Sequence, residues 1–449
     1  MKIFTALTLL VAAISLTADA APTSKSPVVS IELAKDDLPD YFTWLEKSKI
    51  NINRALLKYR KNIRKAFSEG LVGQDAIEKL EAASTPMFGD SSPKTFLIDV
   101  NYKKGKTNST SDTGSKKSKG KKGKPINNPL QDEGMDIGYH GPIKIGGQTF
   151  NVIFDTGSSD IWVPAQECPD AACKSHKAFN PKKSKGFKTD NKPFDIQYGT
   201  GAVSGVIAVD DISIAGAKAK GQIFGLSTKM SDFFTNAKFD GILGMGLDKL
   251  SSQNAKTPFT QLVEQKAVKD PVFGFFLGRQ KDGRGNKSQL TLGGVDSTKF
   301  TGQLKYNKLV GKNGYWEIAL GDASVNGKPL GFSKKTAIID TGTTLLIVPP
   351  ADAAAIHKAI KGSVNQQGEY FVPCNTKAVV SLTFGGVTYK ISPKDLARER
   401  TNQHNLCVSG IAGDNIGGPN QWLVGDTFLK NVYSAYDIKK LAVGFAPIK

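Results

Sequence analysis

Phe154-Asp155-Thr156-Gly157-Ser158-Ser159 and Ile339-Asp340-Thr341-Gly342-Thr343-Thr344 are two copies of one short pattern. In each, an apolar run ends in an aspartate, followed by a threonine, a glycine and two more hydroxyl residues. The copies lie 185 positions apart, which predicts two similar lobes, each presenting one carboxylate. Two carboxylates face to face at about 3 Å cannot both ionise and so share a proton. Such a pair can activate water by acid–base chemistry, with no metal, cofactor or covalent nucleophile. The glycine lets each loop turn tightly and approach its counterpart where a Cβ would obstruct. A third Asp-Thr-Gly, at Asp112-Thr113-Gly114, lacks the apolar lead-in and sits among lysines, so it reads as chance.

Each copy has a companion downstream. Phe239-Asp240-Gly241-Ile242-Leu243-Gly244 ends 89 residues after Asp155, and Trp422-Leu423-Val424-Gly425 ends 85 after Asp340. Two apolar residues and a glycine at matched offsets mark a repeated half-domain. After Pro129 the chain consists of short β-type runs separated by Gly, Asn and Asp, with helices predicted only over Pro258–Lys266 and Ala351–Ile360. That pattern predicts an all-β protein.

The 449 residues suit a leader followed by two lobes. Lys2, the apolar run Ile3–Leu16 and Ala18-Asp19-Ala20 read as a secretory signal over residues 1–20. No later run approaches the ~20 apolar residues of a membrane span, so the expected product is secreted and extracellular. Residues 103–124 are low-complexity and lysine-rich, unable to bury enough apolar surface to order themselves, and read as a cleavable linker. Cleavage is expected between Lys116 and Leu130. Asn108 and Asn286 open glycosylation sequons. Four cysteines fit the oxidising route and permit three pairings. Short loops close at least entropic cost, which favours Cys168–Cys173 and leaves Cys374–Cys407. A zinc site is disfavoured because the C-x4-C spacing has no second pair or histidine cluster nearby. The formal net charge is +19, spread over leader and remainder alike. It reads as a solvated basic surface, since no aromatic-interleaved nucleic-acid platform accompanies it.

The doubled Asp-Thr-Gly with its companions resembles the pepsin-like aspartic endopeptidases, and within them the secreted fungal, rhizopuspepsin-like type. The resemblance implies a bilobal all-β fold of two pseudo-symmetric β-barrel-like lobes, with a cleft between them. Expected boundaries are a signal over 1–20, a propeptide over 21–125, an N-terminal lobe over 126–300 with Asp155 and a C-terminal lobe over 301–449 with Asp340. Catalysis would fall to Asp155 and Asp340, supported by Thr156, Gly157 and Ser158 and by Thr341, Gly342 and Thr343. The threonines would brace the loops across the lobes, while Ser158 and Thr343 donate to the outer carboxylate oxygens. Phe194-Asp195-Ile196-Gln197-Tyr198-Gly199-Thr200-Gly201 is similar to the family's substrate-covering flap. There Tyr198 would bond Trp162, and Phe233 and Ile242 would wall the substrate pocket. Many fungal relatives carry Asp after the Tyr-Gly pair, where it helps accept Lys at P1. Thr200 here implies a preference for bulky apolar residues around the cut. Ala55-Leu56-Leu57-Lys58-Tyr59 resembles the propeptide segment whose Lys–Tyr pair plugs the cleft, making Lys58 and Tyr59 inhibitory. Protein or peptide substrates, the chain's own propeptide and pepstatin-type inhibitors are the implied partners of a monomer that binds neither nucleic acid nor membrane.

Other chemistries fit less of the chain. Paired carboxylates also cleave glycosides, but a glycosidase leaves the doubled hydroxyl loops and the flap without a role. A pepsin-fold binding protein that has lost catalysis would be expected to lack an aspartate or a flap element, and here both are present. His140, His176, His357 and His404 stand in no Ser/His motif.

Overall fold

The strand ending in the first aspartate, Gln148–Asp155, alternates outward and inward residues until Val152, then buries everything it carries. It lies third in an eight-stranded sheet whose order is Gln131–Asp132, Tyr139–Ile145, Gln148–Asp155, Gly241–Gly244, Ile161–Pro164, Ala217–Met230, Gly201–Ile214 and Lys188–Tyr198. A computed structural model describes residues 124–132, 136, 138–198, 201–282, 288–366, 368–401 and 405–449. The predicted signal, Lys58, Tyr59, Asn108, Asn286, Gly199, Thr200 and His404 lie outside the described residues.

The second half repeats the central arrangement. A five-stranded sheet runs Glu317–Leu320, Lys335–Ile339, Gln421–Val424, Leu346–Val348 and Ile411–Gly413. In the first half, Gly241–Gly244 is threaded parallel to Gln148–Asp155 and antiparallel to Ile161–Pro164. In the second, Gln421–Val424 is threaded parallel to Lys335–Ile339 and antiparallel to Leu346–Val348. Gly241–Gly244 is buried throughout and Gln421–Val424 is buried from Trp422 onward, as strands covered on both faces are. The fold is therefore the all-β, bilobal pepsin-like one, with two small four-stranded sheets completing the second lobe.

A six-stranded sheet spans both halves, in the order Ile126–Pro129, Gln289–Leu292, Val272–Phe276, Val432–Asp437, Ala442–Pro447 and Lys305–Lys308. Its central pair, Val272–Phe276 with Val432–Asp437, joins a strand before residue 300 to one near the C-terminus. Phe273 stacks flat on Tyr436 at 4.8 Å between ring centres. The two halves also share core. Leu250 packs with Tyr315, Ile338, Leu345 and Leu423, and Trp316 Nε1 donates to the Met245 carbonyl at 2.9 Å. Among the described residues helices are few, as the sparse periodicity predicted. Pro258–Glu264 starts behind Thr257, whose hydroxyl accepts from Thr260 N, with proline in the first turn where it lacks no needed donor. Pro350–Lys358 is the longest described helix. The structure pairs Cys168 with Cys173 and Cys374 with Cys407. Among the described residues, no helix is long and apolar enough to cross a membrane.

Candidate active site

Each aspartate sits where its strand ends and the chain turns back on the threaded companion. Asp155 pairs in register with Gly244, and Asp340 N donates to the Val424 carbonyl at 3.0 Å. Each loop is then pinned from behind by a backbone bond. Met245 N donates to the Asp155 carbonyl at 2.8 Å, and Asp426 N to the Thr343 carbonyl at 2.8 Å. A Cβ at Gly244 would strike the Ser159 backbone, and one at Gly425 would strike the Thr343 carbonyl. The apolar-apolar-glycine companions are thus what allows a strand to pass directly beneath each loop.

The two loops meet head to head. Thr156 N donates to Thr341 Oγ1 at 3.1 Å, and Thr341 N donates to Thr156 Oγ1 at 3.0 Å. Each hydroxyl reaches past its partner loop, Thr156 Oγ1 to the Ile339 carbonyl at 2.9 Å and Thr341 Oγ1 to the Phe154 carbonyl at 2.7 Å. All four bonds are buried, where an unmade bond is expensive, so the loops are fixed in mutual register. That brace brings the carboxylates together: a Cβ on Gly342 would collide with Asp155 Oδ1.

Both carboxylates are held alike. Gly157 N donates to Asp155 Oδ1 at 2.9 Å, and Gly342 N donates to Asp340 Oδ1 at 2.8 Å. Ser158 Oγ donates to Asp155 Oδ2, and Thr343 Oγ1 donates to Asp340 Oδ2 at 2.7 Å. Asp155 is 3 % exposed and Asp340 fully buried, so each charge relies on these donors rather than on bulk water. A symmetric pair of hydrogen-bonded, desolvated carboxylates is equipped to hold one proton between them and to polarise a water or a carbonyl group.

The hairpin Lys188–Tyr198 with Gly201–Ile214 is paired in register up to Tyr198 and Gly201. Trp162 Nε1 donates to Tyr198 Oη at 2.7 Å. Phe234 meets both rings edge-on, at 5.4 Å from Trp162 and 6.2 Å from Tyr198. Phe233 is half-buried beside Phe234, whereas Ile242 is wholly buried, paired with Ile153 and Trp162 in the sheet beneath the loop.

One site feature escaped the sequence. The residue that ends the first loop, Asp160, is buried and gathers four donors: Ser251 Oγ at 2.6 Å, Ser252 N at 2.9 Å, Gln253 N at 3.1 Å and Ser252 Oγ. It fastens the segment carrying Leu250, the residue inserted into the second lobe's core. Its counterpart in the second copy is Leu345, so the repeat itself gave no hint of a carboxylate's task there. The histidines form no triad among the described residues. His176 bonds carbonyls at Ala172 and Ala237. His357 meets Ser409 Oγ at 2.8 Å, but its other nitrogen faces the Ala353 carbonyl rather than a carboxylate. Cys168, Asp170 and Cys173 come within metal-ligand reach of one another, yet both sulfurs are taken by their disulfide.

Fold, threaded companions and facing carboxylates together define an aspartyl protease architecture. The chain belongs to the eukaryotic aspartyl protease family, whose model matches residues 138–448. It is 43 % identical over 325 residues to a probable aspartic-type endopeptidase of Arthroderma benhamiae, an alignment covering 71 % of this chain and 63 % of that protein. An aspartic protease of Phaffia rhodozyma is 40 % identical over 328 residues, covering 71 % of this chain and 78 % of that one. Cathepsin D of Homo sapiens is 37 % identical over 335 residues, 70 % of this chain and 81 % of the human protein. The chain thus spans under two thirds of the Arthroderma relative's length.

Proposed function

We propose that this protein is an aspartic endopeptidase, exported as a zymogen, that hydrolyses protein substrates at acidic pH through water activated by Asp155 and Asp340. The observation that carries this is the pair of identically held carboxylates, brought together by the crossed threonine bonds. Asp340, ionised, takes a proton from the water as the oxygen attacks the peptide carbonyl carbon. Asp155, protonated, hydrogen-bonds the carbonyl oxygen as negative charge develops there. Collapse of the tetrahedral intermediate expels the amine, which takes up a proton from the pair. The dyad titrates as a unit, so activity follows a bell on the acid side.

Closure of the hairpin that bears Tyr198 excludes water and seats the scissile bond. The aromatic cluster of Trp162, Tyr198, Phe233 and Phe234 supports a preference for bulky apolar residues around the cut, as does Thr200 by its place in the sequence. The resemblance assigns Lys58 and Tyr59 to inhibition of the unprocessed chain, by a cation set against the carboxylates. Maturation falls before Ile126, because Ile126–Pro129 is hydrogen-bonded into a sheet and a protease needs extended, accessible backbone.

The deciding experiment acidifies the purified full-length chain and assays matched peptides carrying Phe or Lys at P1. Wild type should cleave the Phe peptide faster, and Asp155→Asn and Asp340→Asn should each lose at least about 10³-fold in kcat with unchanged circular dichroism. Full activity in either variant refutes the dyad, and equal kcat/KM for the two peptides refutes the preference.

A further inference from the structure

Away from the two aspartates, a pocket of about 380 Å³ opens where the first lobe's Asp136 meets the second lobe. Its walls carry five cationic side chains, Lys281, Lys394, Arg398, Arg400 and Lys430, against two carboxylates, Asp136 and Glu399. The inner cation is already neutralised: Lys430 Nζ lies 2.9 Å from both Asp136 and the buried Asp395. Asp136 is spent in turn, its other oxygen accepting Gln280 N at 2.9 Å. Lys394 pairs at the rim with Asp282. Of the remaining positive charge, that on Arg398 is offset in part by the neighbouring Glu399. Lys281 Nζ is met by carbonyls only among its described bonds, those of Lys394, Ala397 and Arg398. Arg398 keeps its Nε buried with no hydrogen-bond partner among the described residues. Burial depresses the pKa of Lys281, and the neighbouring Lys430 and Arg398 depress it further. Burial likewise lowers that of Arg398. The strand Ala397–Arg400 breaks register between its ends, and such irregularities re-aim side chains out of the plain ladder.

A buried guanidinium nitrogen with no partner among the described residues lines this cavity, beside an exposed guanidinium on the same irregular strand and a desolvated ammonium held by carbonyls. Oxyanions match guanidinium forks in both charge and geometry, taking two parallel N–H bonds at once. We propose that this pocket is an anion site, taking a small oxyanion, phosphate or carboxylate, between Arg398, Arg400 and Lys281. Since its lining comes from both lobes, the bound anion ties Asp136 and Gln280 to the Pro393–Arg400 segment and stabilises the closed assembly by mass action. Nothing in the site depends on the catalytic aspartates, so it stands or falls apart from the proposed activity.

The test is thermal unfolding of the full-length chain at a fixed mildly acidic pH and fixed ionic strength, titrated with phosphate, acetate or chloride. The expected result is a saturable rise in Tm with phosphate or acetate that chloride does not give. Saturation by phosphate alone assigns the free inorganic anion, and saturation by acetate assigns a carboxylate such as a peptide terminus. Arg398→Gln and the exposed Arg400→Gln should each weaken the apparent affinity by about tenfold or more. If Arg398→Gln does not fold, Arg400→Gln alone decides. A rise no larger than chloride gives, or one that Arg400→Gln leaves unchanged, overturns the proposal.

Discussion

Thr156 and Thr341 do at the scale of single residues what no longer element does, which is to fix the distance between the lobes at the point of chemistry. Each hydroxyl accepts one backbone N–H and donates to one carbonyl of the opposite loop. Thr341→Val keeps the shape and removes the oxygen. Thr156 N and the Phe154 carbonyl then lose their partners inside the core, at a cost of about 2–4 kcal/mol. Urea titration should show that loss, and kcat should fall with it because the carboxylates no longer sit in register. Thr341→Ser keeps the hydroxyl and should restore most of both. A valine variant of wild-type stability would show that the crossed bonds carry no load. Asp160 works at the same scale but was hidden in the sequence, because its donors lie about ninety residues away at Ser251–Gln253. Nothing local to the first loop distinguishes it from a solvated acid.

Among the elements, the threaded companions were legible because they repeat: an apolar pair and a glycine can be recognised twice at matched offsets, and the register then follows. The long hairpin was legible for a different reason, since Tyr198 and the glycines after it read as a turn, and the structure pairs the two strands up to Tyr198 and Gly201. The six-stranded sheet shared by both halves was not legible. Its strands are short, unrelated in sequence and drawn from residues 126 to 447, so only the assembled chain reveals that the lobes share a floor. Function at this scale hangs on how the hairpin is anchored. Trp162 Nε1 holds Tyr198 Oη across two elements of one sheet. Trp162→Phe deletes the donor and Tyr198→Phe the acceptor. Each should lower kcat/KM about 3- to 10-fold and cost about 1–3 kcal/mol of stability, since the bond is buried and Trp162→Phe also opens a cavity. Because both remove the same bond, the double variant should be no worse than the poorer single one. Additive losses would mean that the two rings act independently.

At the scale of the molecule, the buried ionisable groups set opposite demands on pH. His357 is packed flat on Tyr370 and bonded to Ser409, and burial lowers its pKa from 6.5 to about 4. The unfolded chain therefore takes up the proton first as pH falls below 6.5, and stability declines until about pH 4. The full decline amounts to about 3 kcal/mol. Asp395 loses stability on the acid side as well. Burial alone would raise its pKa, but Lys430 and Arg279 hold it below 3.8 and tie its contribution to the ionised form. Asp426 pulls the other way. It is buried with neither oxygen hydrogen-bonded among the described residues, and burial, aided by Asp340 and Asp136 against Lys430 and Arg398, raises its pKa well above 3.8. Its protonated form belongs to the fold, so its contribution is complete below pH 3.8 and lost as pH rises through the folded value. The fold thus carries one group that favours acid and others that resist it. Urea titrations from pH 4 to pH 7, made on an Asp155→Asn background to exclude self-cleavage, separate them. His357→Gln should flatten the fall between pH 6.5 and 4. Asp426→Asn should leave stability in acid near that of the parent and remove the loss on the neutral side. If both variants keep the wild-type slope throughout, the pH response resides in other groups, and neither His357 nor Asp426 governs it.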